Sequence, residues 1–374
     1  MNRIIVREAN TPALMKDYVM FPFKLYENHP YWVPPLINDE LETLDKNKNP
    51  AFDGAEAKFY LAYIGKEIVG RMAAIINRDE IKLLNKHKIR FGWWDVIDDV
   101  DVTKALLDKV IEWGRKEKLE NIEGPMGFSN LDKVGVISEG YDFMGSMITW
   151  YNYPYYITHL ETLGLVKEKE YHESWFSFSS VDTKYFERAA EFIAKRYQLK
   201  GVRFTKTIDI LPYVDDMFEL FNTTYAKLAS FVPINEKQIE YYKKKYIPFI
   251  NPEYIKFILD KDDNMIAFSI VMPGFSEALK KSKGRLFPFG FYHLLKARKN
   301  SKEVLFYLIG VDPEYQNKGV TALIMKEYYE VFVRKGIETC VRTPELEENH
   351  AIHNLWKNFD SRVLRKRRTY RLDL

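Results

Sequence analysis

The chain has 374 residues, 46% of them hydrophobic, with 25 Tyr, 25 Phe and 7 Trp. A length and composition of this kind favour two cored domains and exclude a disordered chain. Lys and Arg total 56 against 53 Asp and Glu, a formal charge of +3, which argues against a broad nucleic-acid-binding face but leaves room for one local anion pocket.

The N-terminus, MNRIIVREANTPALMKDY, has neither the apolar run nor the cleavage site of a secretory signal. No apolar stretch approaches the ~20 residues of a membrane helix. Cys340 stands alone and fits a reducing compartment. The expectation is a soluble, cytoplasmic protein without a membrane partner.

Residues His29–Leu36 (HPYWVPPL) are held extended by their prolines. Phe59–Ile76 predicts two strands joined by a turn at Gly65, and Phe91–Ile97 a further strand. Leu106, Val110 and Trp113 recur at helical spacing within 103–117, with Asp101 as the N-cap. A helix over Ile157–Leu163 ends at Gly164, and His172–Ser180 reads as a strand. Asp182 caps a strong helix over Thr183–Tyr197, read as the linker between domains 1–180 and 181–374. A strand is expected over Val202–Ile210, helices across 212–245, a hairpin around Asp260–Asn264, and a Gly/Pro/Phe-rich loop over Pro273–Phe291.

The last segment carries most information. Val304–Val311 (VLFYLIGV) is a continuous apolar run, as expected of a strand buried on both faces. A polar loop follows, Asp312–Lys318, then Gly319, then a helical pattern (TALIMKEYYEVFVRK) stopped by Gly336. IETCV gives a strand, Asn349–Asn358 a helix, and RRTYRLDL a final strand. A strand, a glycine-bearing loop and a helix start form an anion cradle. The first helical amides have no intrahelical partner, the dipole adds positive charge, and glycine lets a phosphate approach the backbone.

These residues resemble the acyl-CoA signature of the GCN5-related N-acetyltransferases (GNATs): Gln or Arg, two residues, Gly, one residue, then Gly or Ala. Here it reads Gln316, Asn317, Lys318, Gly319, Val320, Thr321, with Ala322 next and Thr at the sixth position. Asn349 matches the Asn that the family places at the next helix start. The resemblance is good over 304–360 and looser over the rest of the C-terminal half. It implies that Ile309, Gly310 and Val311 pair with the pantetheine arm, that Gln316–Ala322 hold the pyrophosphate, and that acetyl-CoA or another acyl-CoA is the co-substrate.

The family's usual acid, a Tyr seven residues after the Asn, is replaced by Trp356, which has no labile proton of useful pKa. Tyr307, His353 and Glu338 are the substitute candidates, and each also has a plain packing role open to it. Asp95, Asp98, Asp99 and Asp101 lack a metal-loop spacing and suit a helix entry better, so no metal is expected. The basic tail, Arg362, Arg365, Lys366, Arg367, Arg368 and Arg371, suits a terminal strand, a contact to an acidic partner or nucleic acid, or one to the CoA 3′-phosphate.

The N-terminal half repeats the order of elements, but WDVIDDVDVTKALL contains no Gln-x-x-Gly-x-Gly loop. Trp32–Leu36, Gly124–Ser129 and Lys283–Phe289 are similar to stretches of bacterial tandem acetyltransferase-like proteins. The fold implied is mixed α/β: two GNAT-like domains, each a mostly antiparallel twisted sheet flanked by helices, the first degenerate. The second half is expected to carry acyl transfer to a small-molecule or peptide amine, the first to shape the acceptor site or stabilise its neighbour. The aromatic stretch Trp150–Tyr156 is open to groove lining or core packing. The alternatives are a non-catalytic acyl-CoA binder, favoured by Trp356, and an aminoacyl-tRNA-dependent transferase, disfavoured by the charge balance.

Overall fold

A computed structural model describes residues 3–226, 228, 231–247 and 250–374. The chain divides into two compact units. The first holds residues 1–172, 276–291 and 364–374; the second holds 173–275 and 292–363. The expected contiguous halves are therefore each interrupted. Residues 276–291 join the first unit because Ser276 Oγ donates to Gly145 O (2.8 Å) and Ile37 N to Gly284 O (2.9 Å).

In chain order the elements begin with β1 (Ile4–Glu8), α1 (Pro12–Leu25), α2 (Ile37–Thr43), β2 (Ala55–Ile64), β3 (Glu67–Asn77) and α3 (Arg78–Leu84). There follow β4 (Lys88–Val96), α4 (Val100–Lys116), β5 (Asn121–Gly124), β6 (Val136–Glu139), α5 (Tyr155–Thr162) and β7 (Val166–Ser177). Next come α6 (Thr183–Tyr197), β8 (Lys200–Val202), α7 (Val214–Tyr225), α8 (Glu236–Tyr246), β9 (Ile255–Leu259), β10 (Met265–Pro273), α9 (Ser276–Ser282) and α10 (Gly290–Asn300). The chain closes with β11 (Glu303–Val311), α11 (Val320–Lys335), β12 (Thr339–Leu346), α12 (His350–Trp356) and β13 (Arg362–Asp373).

In the first unit the strand order is β1-β2-β3-β4-β5-β13, with β6 on β13. Strands β1 to β4 are an antiparallel meander, β4 and β5 are parallel, and β13 returns antiparallel to β5 from Tyr370↔Gly124 to Asp373↔Asn121. The C-terminal strand thus completes the N-terminal sheet. That pairing spends the basic tail. Arg365 donates to the carbonyls of Gly140 and Phe143, Arg367 to Gly135, and Arg368 reaches Glu170. Helix α4 covers the sheet with Val102, Leu106, Val110 and Trp113. Its cap is Asp99, not Asp101: the Asp99 carboxylate accepts from Asp101 N at 2.9 Å.

In the second unit the order is β12-β11-β10-β9-β8. Helices α7 and α11 take opposite faces, as the alternation along β10 requires. Phe268 packs toward Phe221 of α7, while Ser269 accepts from the Tyr328 hydroxyl of α11. Helix α6 starts and stops as the sequence predicts, with the Asp182 carboxylate accepting from Tyr185 N at 3.0 Å. It is a packing layer of this unit, not a linker, because Phe186 and Ala190 are buried in the core shared with α11.

The strand expected over 202–210 stops at Val202, since residues 207–213 wind as a 3-10 helix containing Pro212. Part of the loop expected over 273–291 is α9 and the start of α10. Positions 227, 229 and 230 of the helical stretch expected across 212–245 lie outside the described residues.

One core charge in the second unit is costly. Lys256 on β9 is 1% exposed, and burial lowers its pKa from 10.5 to about 8. Because the folded value lies below the unfolded one, stability is lowest where both states are protonated and recovers as pH rises through 8 toward 10.5. Lys256→Met is expected to stabilise the protein at pH 7 by about 1–3 kcal/mol. Thermal denaturation of both forms from pH 7 to 10 checks this: the gap should narrow with rising pH, and a variant no more stable than the parent refutes it.

Candidate active site

The second unit contains a parallel strand pair that opens. Strand β11 pairs with β12 only from Glu303↔Thr339 to Phe306↔Arg342, although the two strands run on to Val311 and Leu346. The opening starts at a β-bulge. On the other edge of β11, Ile270 faces Leu308 and Val271 faces Phe306, so Tyr307 is the extra residue that bends the strand away. Thr343 Oγ1 donates to Tyr307 O at 3.4 Å at the apex. Beyond it, residues 308–311 have no ladder to β12. A strand edge of this kind can accept an extended, amide-bearing chain as a further strand. Gly310 is needed here, because a Cβ would lie 2.3 Å from Phe268 Cε1 and 2.9 Å from Thr224 Oγ1.

The loop after β11 leads directly into the N-terminus of α11. Asp312 organises it, its carboxylate accepting from Glu314 N (2.7 Å) and its carbonyl from Tyr315 N and Gln316 N. Asn317 (φ 60°) and Gly319 (φ 79°) both adopt the left-handed conformation, Gly319 as the residue before the helix.

Not every amide expected to be bare is so. Gln316 N and Lys318 N are paired within the loop, and the Gln316 side chain is turned back to donate to Val311 O. Among the described residues, the amides of Asn317, Gly319, Val320 and Thr321 have no hydrogen-bond partner. The first turn of α11 has no acidic residue, so dipole and amides act together on an anion. Thr321 fits despite its branched Cβ, because the left-handed positions are Asn317 and Gly319 and Thr321 is already helical. Val320 and Ala322 are buried and anchor the helix start. Lys318 Nζ lies 4.9 Å from the ring centre of Tyr315 and 5.4 Å from that of Tyr197.

The side chains at the opening are partly ones that sequence reasoning missed. Tyr225, at the end of α7, donates its hydroxyl to Ile309 O at 3.2 Å. Burial pushes its pKa up to about 12, and the negative charge of Glu345 adds to the shift. Arg342, the last paired residue of β12, grips Glu345 with Nε and Nη2, and its guanidinium lies 4.9 Å from the centre of the Trp356 indole. Trp356 is buried against Phe306, Phe176 and Phe359, and its Nε1 has no hydrogen-bond partner. The position of the family's usual acid is thus packed with an apolar ring.

The proposed substitutes are scattered. Tyr307 sits on the bulge. His353 Nε2 is held 3.0 Å from Glu347 O. Glu338 precedes the paired end of β12, where its amide donates to Lys302 O, at the far end of β11 from Val311. Asn349 caps α12, its side chain accepting from Ile352 N at 3.3 Å.

The whole chain has known relatives. Protein YghO of Escherichia coli is 27% identical over 367 residues, spanning 95% of this chain and 92% of its own length. A bacterial ceramide synthase of Caulobacter vibrioides is 25% identical over 375 residues, spanning 97% and 95%. No family model matches the chain. Among solved structures, a tandem GNAT protein from the clavulanic acid biosynthesis pathway superposes with a TM-score of 0.60 at 12% identity, covering 99% of this chain and 98% of that one. The chain has the tandem GNAT fold.

The first unit has the GNAT fork without its slot. Strands β4 and β5 pair in parallel from Lys88↔Asn121 to Arg90↔Glu123, and the β3–β4 register slips beyond Gly92. There, however, Met126 N donates to Phe91 O at 2.8 Å and closes the opening. Trp93 packs on Trp150 and Phe128, while Tyr155 and Tyr156 bond the backbone of Val96. The stretch Trp150–Tyr156 therefore goes into packing. The acidic residues at the end of β4 and just after it have partners: Asp95 takes Arg71 and the Tyr26 hydroxyl, Asp98 takes His159, and Asp99 occupies the helix start where a phosphate would sit.

At Gly319 an added Cβ would stand 3.2 Å from Ile193 Cδ1 at a φ that disfavours side chains. Gly319→Ala is expected to cost about 1–2 kcal/mol. Urea denaturation checks this, and an unchanged midpoint would show that the turn is not constrained.

Proposed function

We propose that the second unit moves an acyl group from an acyl-CoA to an amine. The observation that carries this reading is the adjacency of an opened parallel strand pair and a helix start whose first amides have no partner. Pantetheine would lie along residues 309–311 and the diphosphate on Gly319, Val320 and Thr321, with Asn317 and Lys318 at the rim. The amine nitrogen, once neutral, attacks the thioester carbonyl. The tetrahedral adduct gives up the extra proton on its nitrogen to solvent and expels the thiolate as the C–S bond breaks, leaving the amide. Tyr225 is positioned to protonate the leaving sulfur, since its hydroxyl already sits on the strand edge and burial keeps it neutral at physiological pH. Glu345, fixed by Arg342, supplies negative charge that draws in a protonated amine before it loses its proton to solvent. Trp356, Glu338 and His353 take no part in proton transfer in this scheme.

Calorimetry with acetyl-CoA and longer acyl-CoAs, followed by thiol release with an amine panel, tests the proposal. The name of the Caulobacter relative, a ceramide synthase, adds a lipid amine and a long acyl-CoA to that panel. Gly319→Glu should abolish CoA binding in a chain that stays folded. Tyr225→Phe should leave binding intact and slow thiol release about a hundredfold. Absence of any CoA binding rejects the proposal; full turnover by Tyr225→Phe removes the acid assignment alone.

A further inference from the structure

The stretch from α9 into α10 does not behave like ordinary surface. Phe287 is 77% exposed and Phe289 72%. Phe291, Tyr292 and Leu295 are exposed as well, and the rings of Phe287 and Phe291 lie 5.9 Å apart. Helix α10 is two-faced: Leu294 is buried, whereas Phe291, Tyr292 and Leu295 share the outer side with Lys296 and Lys299. Five large apolar side chains in nine successive positions, all turned to solvent, form a patch that a monomer in water has reason to avoid. The flanking charge has one sign. From Leu279 to Asn300 the chain carries Lys280, Lys281, Lys283, Arg285, Lys296, Arg298 and Lys299 and no Asp or Glu. Lys280 and Arg298 are spent on backbone carbonyls, while Lys281, Lys283, Arg285, Lys296 and Lys299 are exposed.

We propose that this segment docks the protein on an anionic lipid bilayer, with Phe287, Phe289, Phe291, Tyr292 and Leu295 entering the interface and the exposed Lys and Arg lying at headgroup level. Charge complementarity selects the occupant: exposed aromatic and aliphatic side chains flanked along the chain by five exposed cations, against the one exposed anion of α9, Glu277, match an acyl boundary beneath phosphate headgroups. The basic surface of an interfacial segment snorkels while its rings sit at the polar–apolar boundary. Among the described residues no helix is long and apolar enough to cross a membrane, so the attachment is peripheral and reversible. The inference revises the expectation of a protein without a membrane partner, and it is independent of the acyl-transfer reading.

Co-sedimentation of the full chain with vesicles tests it. Vesicles of phosphatidylcholine with about a third phosphatidylglycerol should bind the protein, pure phosphatidylcholine should bind it much less, and added salt should weaken the binding. The triple variant Phe287→Ser, Phe289→Ser, Phe291→Ser should bind about tenfold or more weakly. Its thermal midpoint should not fall, because these side chains are exposed. Replacing Lys281, Lys283, Lys296 and Lys299 by Gln should remove the preference for phosphatidylglycerol. Failure of the parent chain to sediment with anionic vesicles overturns the proposal, as does undiminished binding by the triple variant. Self-association of the parent, lost in the triple variant and without vesicle binding, would assign the patch to a second copy of the chain and equally overturn it. Thiol release with a water-soluble amine is read separately, so failure of one proposal leaves the other standing.

Discussion

Backbone hydrogen bonds left unmade on purpose are the constraint on which the second unit turns. Two parallel strands normally pair along their whole length, and buried amides and carbonyls without partners are expensive. Here the bulge at Tyr307 turns β11 away from β12 after a short ladder, and the Asn317–Gly319 turn brings the chain into α11 without capping its first amides. Both devices are local and cheap, one extra residue and one left-handed glycine. Both leave backbone groups without a protein partner, among them the amides of Gly319, Val320 and Thr321. The packing behind them is rigid: Val320, Ala322, Leu323 and Tyr328 fix α11 against the sheet.

The first unit shows what happens when the same topology is not kept open. Its parallel pair also diverges, but the strand edge is met by Met126, the space is filled by Trp93, Trp150, Phe128 and Tyr156, and the helix start is capped by an aspartate. An Asp side chain on the helix amides does for α4 what a phosphate would do, and its charge repels one. The two units share a fold and differ in whether unsatisfied backbone is available.

Legibility in the sequence followed the range of the interaction. The Asp182 cap marks the start of α6, and Gly319 and Gly336 frame α11, because caps and left-handed turns are written within a few residues. Where several acidic residues compete, as at Asp99 and Asp101, spacing alone does not distinguish the cap, which is Asp99. The β-branched residues of 202–210 read as a strand, yet Thr207–Tyr213 wind as a 3-10 helix. Tyr225 had no local signal: it lies 84 residues from the carbonyl it bonds, and only the packing of α7 on β10 and β11 brings it there. The Arg342–Glu345 pair was within reach, being three residues apart on one strand end, but charge pairs at that spacing are common. The return of β13 to the first sheet depends on long-range pairing that no periodicity reveals. Glycine, proline and phenylalanine make Pro273–Phe291 read as one loop, which hides α9 and the start of α10.

The most direct measurement follows the amides themselves. In ¹⁵N-labelled protein, titration with CoA should shift the backbone resonances of Gly319, Val320 and Thr321 together with those of Ile309 and Val311, while the resonances of Asp99, Val100 and Asp101 at the start of α4 stay in place. Resonances of Gly319–Thr321 that do not move at saturating CoA, or that move no more than those at the start of α4, would contradict the assignment of the diphosphate cradle to the second unit.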